Sequence, residues 1–293
     1  MPEFPEVRVR RLGPGDLTSC MALSVDRGWL PEKRKWSLLL EATEAFGVDA
    51  PDGGLAGAVV LARYGERHAS VGMMLVAARY GGRGLGRALM THLLDAAGDA
   101  TITLFATEMG RPLYERLGFK PVRRSVAFTG TFRVSLGDRG LPAATRPATD
   151  ADLPAILEID QAAFGADRSG IVRRLPSFAD TILLSRTTRG AVIPEPSAGP
   201  TGYAAVWWNG QTAVIGPVIA PDDETARRLI TDLAADLRGP VRLDLDPDRP
   251  ELPAWAQACG LSAVSQTTVM AYGPWDPPGD RDRVFAPITV ALT

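Results

Sequence analysis

The sequence predicts an α/β (α+β) protein made of two similar domains in tandem. The chain has 293 residues, about twice the length expected of one domain. Segments with strand and helix periodicity alternate along it. The order of these segments in the first half recurs in the second half, which indicates a tandem duplication. We therefore expect one domain at residues 1–136 and a second at residues 137–293.

The composition is that of a globular protein, with 45% hydrophobic residues and a net charge of -2. Such a charge gives no general affinity for nucleic acid or an anionic membrane, so neither is an expected partner. The first residues resemble no secretory signal, and no apolar run is long enough to span a bilayer. Two cysteines are too few for a disulfide framework or a structural zinc site. We expect a cytoplasmic protein without a metal.

The first half begins with a strand and two helices. Alternation over residues 7–11 predicts the strand, and a turn ending at Asp16 predicts a helix that runs to about Val25. Pro31 and Glu32 are expected to open the second helix, because proline is tolerated at the first helical position.

A pair of strands and a longer helix follow. Residues 56–64 and 68–77 are separated by a short turn and are expected to pair antiparallel. Leucines at helical spacing from Leu85 predict the helix. The remaining predicted elements of this half are a strand, a short helix and a strand at residues 101–106, 112–117 and 122–132.

The second half repeats this order after a glycine- and proline-rich linker at residues 136–147. The dipeptide Asn209-Gly210 strongly predicts a hairpin that joins strands 203–208 and 211–215. The other predicted elements are a helix from residue 150, a strand at 182–184, a helix at 222–237, a strand at 241–245, a helix at 252–258 and a strand at 265–272.

Four glycines within six residues separate an apolar strand from the helix that begins near Leu85. Glycine lets a ligand approach the backbone, and a helix start offers free N–H groups and a partial positive charge. Three nearby arginines suit phosphate oxygens, namely Arg79, Arg83 and Arg87. The spacing fits neither a P-loop nor the dinucleotide fingerprint. From these residues alone the alternatives are a phosphate site and a plain glycine-rich turn.

A family resemblance favours the phosphate site. Residues 76–89 resemble motif A of the GNAT acyltransferase superfamily, (Arg/Gln)-x-x-Gly-x-(Gly/Ala), with Gly84 and Gly86 at its glycine positions. Residues 107–119 resemble motif B of that superfamily, at the expected separation. The resemblance covers roughly residues 7–132, and the remainder is similar to the diverged second domain of tandem-GNAT bacterial proteins. It implies that each domain has a mixed, mostly antiparallel central sheet flanked by helices.

The resemblance also implies acyl-CoA, most simply acetyl-CoA, as cosubstrate and a small-molecule or peptide amine as acceptor. Pantetheine would pair with the strand that ends at Val76, and the pyrophosphate would contact amides near the helix start. The implied cofactor-binding residues are Leu75, Val76, Arg79, Gly81, Gly82, Arg83, Gly84, Leu85, Gly86, Arg87 and Thr107. Two of them depart from the motifs, since Gly81 replaces Arg or Gln and Thr107 replaces a common Asn.

The resemblance matches Tyr114 to a tyrosine that often protonates the departing thiolate; the alternative is a packing aromatic. The general base is less defined. Ser70 stands where some members of the superfamily carry glutamate, and His68 would lie on the same face of the strand. Glu66, Glu108 and water are the alternatives.

Trp29 and Trp36 lie in the helix–loop–helix segment that usually covers the acceptor in this superfamily. They could shape an acceptor pocket, and the alternative for each is a core position.

The second half lacks the features that suit a phosphate ligand. In the overlay of the two halves, Gly84 aligns with Glu224, and two further acids stand where the first half has Gly82 and Arg83. Tyr114 aligns with Ala256, which cannot donate a proton. We expect a structural role for this half, such as completing the acceptor cleft or forming a homodimer.

Two functions of different classes fit these observations. The first is transfer of an acyl group to an amine by direct attack in a ternary complex, or less simply to a hydroxyl. The second is non-catalytic binding of acyl-CoA, as in a sensor or scaffold.

Overall fold

The computed structural model describes residues 7–134, 144–186 and 199–292. The chain forms two compact units. Unit 1 contains the described residues up to Val122, together with Val269–Trp275 and the last described residues from Ala291. Unit 2 contains Arg123–Thr268 and Asp276–Val290. The predicted domain boundary after residue 136 lies outside the described residues.

Unit 1 is built on a mixed sheet with the strand order β1-β2-β3-β4-β5, followed by the end of β12. The pairs from β1 to β4 are antiparallel, and β4 and β5 are parallel. Helices pack on this sheet around apolar side chains such as Leu61 and Leu89, which are fully buried. The elements are β1 Arg10–Leu12, α1 Leu17–Asp26, α2 Lys33–Ala42, β2 Glu44–Asp49, β3 Leu55–Tyr64, β4 His68–Val76, α3 Leu85–Ala97, β5 Thr101–Ala106, α4 Arg111–Arg116 and the beginning of β6 Lys120–Gly130.

The second helix begins later than the sequence predicts. Glu32 has a φ of 53°, in the left-handed region, so the helix starts at Lys33 and not at Pro31. The carboxylate of Glu32 forms a buried ion pair with the ammonium group of Lys35 at 2.6 Å. This contact folds the Glu32 side chain back onto the first turn of the helix.

The strands of unit 2 have the order β12-β6-β11-β10-β9-β8-β7, and β13 pairs with β10. The predicted hairpin is present, but its turn lies one residue later than expected: Asn209 pairs with Thr212, and the two turn residues are Gly210 and Gln211. The elements of the second half of the chain are β7 Ala144–Pro147, α5 Leu153–Phe164, α6 Ser169–Val172, α7 Leu175–Phe178, β8 Thr181–Arg186, β9 Gly202–Asn209, β10 Thr212–Ile219, α8 Asp223–Ala234, β11 Val241–Leu245, α9 Glu251–Ala258, β12 Ser262–Tyr272 and β13 Val284–Ala286.

The last strands of the two sequence halves are exchanged between the sheets. β6 ends the first half, yet its residues from Val126 to Gly130 pair with β11 in unit 2. β12 ends the repeat in the second half, yet Val269–Tyr272 belong to unit 1. There the hydroxyl of Thr101 donates to the carbonyl of Pro274 at 3.2 Å. The predicted α/β class with mixed, mostly antiparallel strand pairing flanked by helices is confirmed, and the exchange of the last strands is added to it.

Within the described ranges, no helix is both long and apolar enough to cross a bilayer. In the same ranges, no group of three or more His, Cys, Asp and Glu is arranged to hold a metal ion.

Candidate active site

The two parallel strands of unit 1 separate part-way along their length. β4 and β5 pair only from His68 with Thr101 to Val71 with Leu104. Beyond these residues the two strands no longer pair with each other. The separation coincides with a β-bulge in β4, where Met73 has a φ of 50°. Such a separation leaves backbone groups of both strands available to an extended ligand.

Backbone strain is concentrated beside this separation. Among the described residues, Met73 and Glu32 are the only non-glycine residues with φ in the left-handed region. Met73 lies at the bulge, and Glu32 lies in the segment between α1 and α2. Strained residues cluster at functional sites, because the surrounding structure must hold them there.

A glycine-rich loop leads from β4 into α3. Gly82 and Gly84 have φ values of 75° and 80°, where other residues are strained, and a Cβ atom at either position would meet open space. Gly84 is the N-cap of α3, so the first amides of this helix are directed toward that space. At Gly86, in contrast, a Cβ atom would lie 3.3 Å from the side chains of Leu113 and Met74. The start of α3 therefore lies against both β4 and α4.

Two of the three arginines near this loop already contact other side chains of the protein. The guanidinium of Arg79 lies 2.9 Å from the carboxylate of Asp52, which also accepts a 2.7 Å hydrogen bond from the hydroxyl of Tyr80. That hydrogen bond lowers the pKa of Asp52, so its carboxylate is charged at neutral pH. The guanidinium groups of Arg79 and Arg83 lie 4.9 and 5.6 Å from the centre of the Tyr80 ring. Arg87 is exposed on the first turn of α3.

Replacing Asp52 with asparagine is expected to strengthen acetyl-CoA binding by up to about fivefold, the scale of one exposed ion pair. The change removes an anion that competes with the ligand phosphates for Arg79, while the amide oxygen of the new side chain can still accept the hydrogen bond from Tyr80. The dissociation constant is measured by calorimetric titration. Asp49→Asn, which removes the same charge from an exposed ion pair with Arg10, is the matched control. Equal effects of the two changes would show that only net charge matters.

Tyr114 lies on α4 with its ring enclosed by the protein. It is 7% exposed, and its ring meets that of Phe119 edge-on at 5.9 Å. A Cβ atom at Gly110 would approach the Tyr114 ring to 3.2 Å, so the loop before α4 also packs on it. Burial raises the pKa of Tyr114 to about 12. The part of the chain that the structure describes makes no hydrogen bond to its hydroxyl, which leaves the proton available to a ligand.

His68 lies away from the strand separation. It is the first residue of β4 and pairs with Tyr64 beside the β3–β4 turn. Met73 lies five positions further along β4, about 16 Å away along a strand. Ser70, on the same face, is fully buried, and its hydroxyl forms a 2.8 Å hydrogen bond with that of Tyr64. This placement does not favour His68 as the general base. Sharing a strand face with Ser70 gives the direction of its side chain, but not its distance from the strand separation.

Thr107 and the two tryptophans occupy different environments. The Thr107 hydroxyl accepts a hydrogen bond from the amide of Gly110 at 3.2 Å and so shapes the loop before α4. Trp36 is fully buried, and its indole N–H donates to the hydroxyl of Ser24 at 2.8 Å. It is therefore a core residue and does not line an acceptor pocket. Trp29 is 41% exposed and remains available to a ligand.

The end of α1 contacts the chain just beyond both separated strands. The carboxylate of Asp26 accepts a 2.6 Å hydrogen bond from the amide of Ala78, two residues after β4. The guanidinium of Arg27 lies 3.4 Å from the sulfur of Met109, three residues after β5. Residues 25–32, which we call the entrance segment, therefore bridge the open ends of β4 and β5. Sequence reasoning did not identify either contact, because each joins residues at least 52 positions apart.

The corresponding region of unit 2 is filled by the chain itself. β10 and β11 pair only at Ala213 and Val214, and β10 then has a register shift before Val218. Beyond the shift, β13 pairs with Val218 and Ile219. In unit 1, by comparison, the described strands beside β4 are only β3 and β5, and Ala291 packs against β4 at Gly72.

Residues 284–288 fit closely into this position. A Cβ atom at Gly216 would lie 2.1 Å from the carbonyl oxygen of Pro287. The indole N–H of Trp207 donates to the carbonyl of Ile288 at 3.2 Å in a buried contact. The start of α8 is capped by its own side chain, since Asp222 accepts from the amide of Thr225 at 2.8 Å. No sequence pattern predicted this segment.

Comparisons with known proteins agree with the arrangement of both units. Residues 42–121 and residues 156–286 each match an acetyltransferase (GNAT) domain family. The uncharacterized N-acetyltransferase YitH of Bacillus subtilis strain 168 is 28% identical over 239 residues, 80% of this chain and 81% of that protein. The chain therefore carries two GNAT domains in tandem and belongs to the GNAT acetyltransferases. As a member of that superfamily it is an acyltransferase, of the class that uses acetyl-CoA.

Solved structures share the fold over the whole length. A Pyrococcus horikoshii protein assigned to the acetyltransferases superimposes with a TM-score of 0.81 at 18% identity, covering 100% of this chain and 98% of the other. A tandem GNAT protein from the clavulanic acid biosynthesis pathway gives a TM-score of 0.62 at 16% identity, covering 92% of this chain and all of the other. At these identities the likeness concerns the fold alone.

Proposed function

We propose that unit 1 transfers an acyl group, most simply acetyl, from acyl-CoA to an amine by direct attack in a ternary complex. The observation that carries this proposal is the separation of β4 from β5 immediately before a glycine loop that caps α3. The two features lie in the order that an extended, phosphate-bearing thioester requires.

The residues of unit 1 fit such a cosubstrate. The backbone of β4 from Gly72 to Val76 would pair with the pantetheine amides. The open space beside Gly82 and Gly84 would admit the pyrophosphate to the first amides of α3, where the helix dipole favours negative charge. Arg83 and Arg87 would add charge-assisted hydrogen bonds.

The chemical step that we propose needs few protein groups. The thioester supplies an activated acyl carbon when acyl-CoA is bound. The amine nitrogen attacks that carbon, the C–S bond breaks, and its electron pair passes to sulfur. Tyr114 donates its phenolic proton to the sulfur, and the positively charged nitrogen loses a proton to water. Water then returns a proton to the Tyr114 phenolate. We assign no side chain as base, because His68 lies far from the strand separation; Glu108, exposed next to Met109, is the alternative to water.

The high pKa of Tyr114 is compatible with this role. A phenol of pKa about 12 and an ordinary thiol of pKa near 8.5 differ by about 3.5 pH units, which would oppose proton transfer. Burial, however, raises the pKa of a thiol as well. A thiolate that leaves beside the buried Tyr114 ring would therefore be closer in pKa to the phenol than a free thiol is.

We further propose that unit 2 does not bind acyl-CoA. Its strand edge beyond the register shift is paired with β13, and the acids at the start of α8 would repel phosphate. Its role would then be structural.

Calorimetric titration of the whole protein with acetyl-CoA is expected to give one site per chain. This measurement also tests the proposed cosubstrate directly. Two sites would show that residues 284–288 are displaced by the ligand, and binding in neither unit would contradict the acyltransferase proposal. Turnover is then assayed by release of free CoA thiol in the presence of primary amines.

A further inference from the structure

We infer that the acceptor carries an apolar aryl or alkyl group beside its primary amine. This inference rests on the proposed acyl transfer and adds the substrate class to it. The inference comes from the exposed side chains of the entrance segment and of Met109, which lie at the open ends of β4 and β5.

The entrance segment defines where an acceptor must pass. Its contacts to Ala78 and Met109 place it over the open ends of both β4 and β5. An amine that attacks a thioester held between those strands has to approach beside this segment. Side chains exposed on it are therefore the first candidates for acceptor contacts.

The exposed side chains on these segments are mainly large and apolar. Val25, Trp29 and Leu30 are 54%, 41% and 49% exposed, and Met109 is 79% exposed. Among the described residues only seven large hydrophobic side chains are exposed, so these two short segments hold four of them. Apolar groups clustered at a site entrance favour a ligand that covers them, because burial removes their surface from water.

The charges beside these groups are used to hold the entrance together. Asp26 is bonded to the amide of Ala78, and Arg27 contacts Met109. Glu108 is exposed and is the carboxylate that would instead favour an acceptor with a second cation. A diamine is therefore the competing acceptor class, and the experiment includes one.

The wall beside the bulge is apolar as well. Gly72 pairs with Val60, and a Cβ atom on Gly72 would lie 2.7 Å from the Cβ and carbonyl oxygen of Ala291. Ala291 and Leu292, which belong to unit 1, are 3% and 0% exposed.

The experiment compares three primary amines as acceptors for acetyl-CoA: 2-phenylethylamine, ethanolamine and putrescine. We expect kcat/KM for phenylethylamine to exceed that for ethanolamine by at least about tenfold, the scale of one apolar group in a pocket. Trp29→Ala and Met109→Ala are expected to reduce this preference at least about threefold each. Val264→Ala, which truncates a 58% exposed apolar residue of unit 2, is the matched control and should leave the preference unchanged.

The possible outcomes distinguish failure of the apolar-acceptor inference from failure of the proposed acyl transfer. Faster acetylation of putrescine than of phenylethylamine would overturn the apolar acceptor and leave acyl transfer intact. The same would follow if Trp29→Ala slowed phenylethylamine and ethanolamine equally. Release of CoA thiol with none of the three amines, in protein that binds acetyl-CoA, would contradict amine acylation itself and the inference with it.

Discussion

Gly84→Glu is expected to abolish acyl-CoA binding by a folded protein, with a loss of affinity of at least about a hundredfold. Gly84 has a φ of 80° at the N-cap of α3, and a side chain there would enter the space that we assign to the pyrophosphate. A carboxylate at about 4 Å from phosphate costs several kcal/mol where solvent is partly excluded. The left-handed backbone adds about 1–2 kcal/mol for any non-glycine residue. In unit 2 the N-cap of α8 is Asp222, so the alignment of Gly84 with Glu224 in the sequence overlay is displaced by two positions.

Two further variants separate charge from strain in that result. Gly98→Glu introduces the same residue at the other end of α3, where φ is 64° and a Cβ atom also meets open space. Gly98 has a ψ of -132°, which non-glycine residues adopt less readily than the conformation of Gly84, so this variant should lose at least as much stability and still bind acetyl-CoA. Gly84→Ala adds the Cβ and the strain without the charge, so we expect an intermediate loss. Binding is measured by titration calorimetry and folding by circular dichroism; wild-type affinity in Gly84→Glu would mean that the phosphate site lies elsewhere.

Local sequence patterns predicted most of the secondary structure. β5 and β11 begin and end where the alternation of apolar residues placed them, at Thr101–Ala106 and Val241–Leu245. The Asn209-Gly210 dipeptide located the hairpin, because glycine adopts the left-handed conformation that a two-residue loop needs. Gly210 has a φ of 63°, and the two loop residues are Gly210 and Gln211. These features depend on neighbours in sequence, and for that reason a sequence pattern is sufficient to find them.

Features that join distant residues were not predicted. The exchange of β6 and β12 between the two sheets leaves the order of elements unchanged, so the order could not reveal it. β13 has three residues, too few for a periodic pattern, and it is recognisable only by its pairing with β10. The bulge at Met73 follows Gly72, and an isolated glycine within a strand can indicate a bulge, but the sequence does not show which residue adopts the left-handed conformation.

The same distinction applies to the candidate site. The glycine loop is contiguous, so its spacing alone placed Gly82 and Gly84 at the start of α3. The choice of His68 relied on strand parity, which gives the face of a side chain and not its distance from the strand separation. Trp36 was chosen from its place in the helix–loop–helix segment, whereas its burial and its bond to Ser24 depend on how α1 and α2 pack.

Tyr114→Phe is expected to lower kcat at least tenfold while the dissociation constant of acetyl-CoA stays within about twofold of the wild-type value. The change removes one oxygen atom and leaves the ring against Phe119 and Gly110, so packing is retained. A positioned general acid contributes about 10²–10⁴ in rate, and water can replace part of that. Steady-state release of CoA thiol gives kcat, and titration gives the affinity. Tyr272→Phe removes a hydroxyl from the ring on the other side of Phe119, 5.3 Å away, and should leave kcat unchanged.

The pH dependence distinguishes a proton donor from a packing residue. Tyr114 acts as an acid in its protonated form, which persists below its pKa of about 12. We therefore expect kcat of the wild-type protein to rise as the acceptor amine loses its proton and to show no fall below about pH 11. In Tyr114→Phe the departing thiolate must leave unprotonated, so kcat should depend on the pKa of the leaving thiol. Wild-type kcat in this variant, with acyl-CoA analogues of different thiol pKa reacting alike, would show that Tyr114 only packs beside the site.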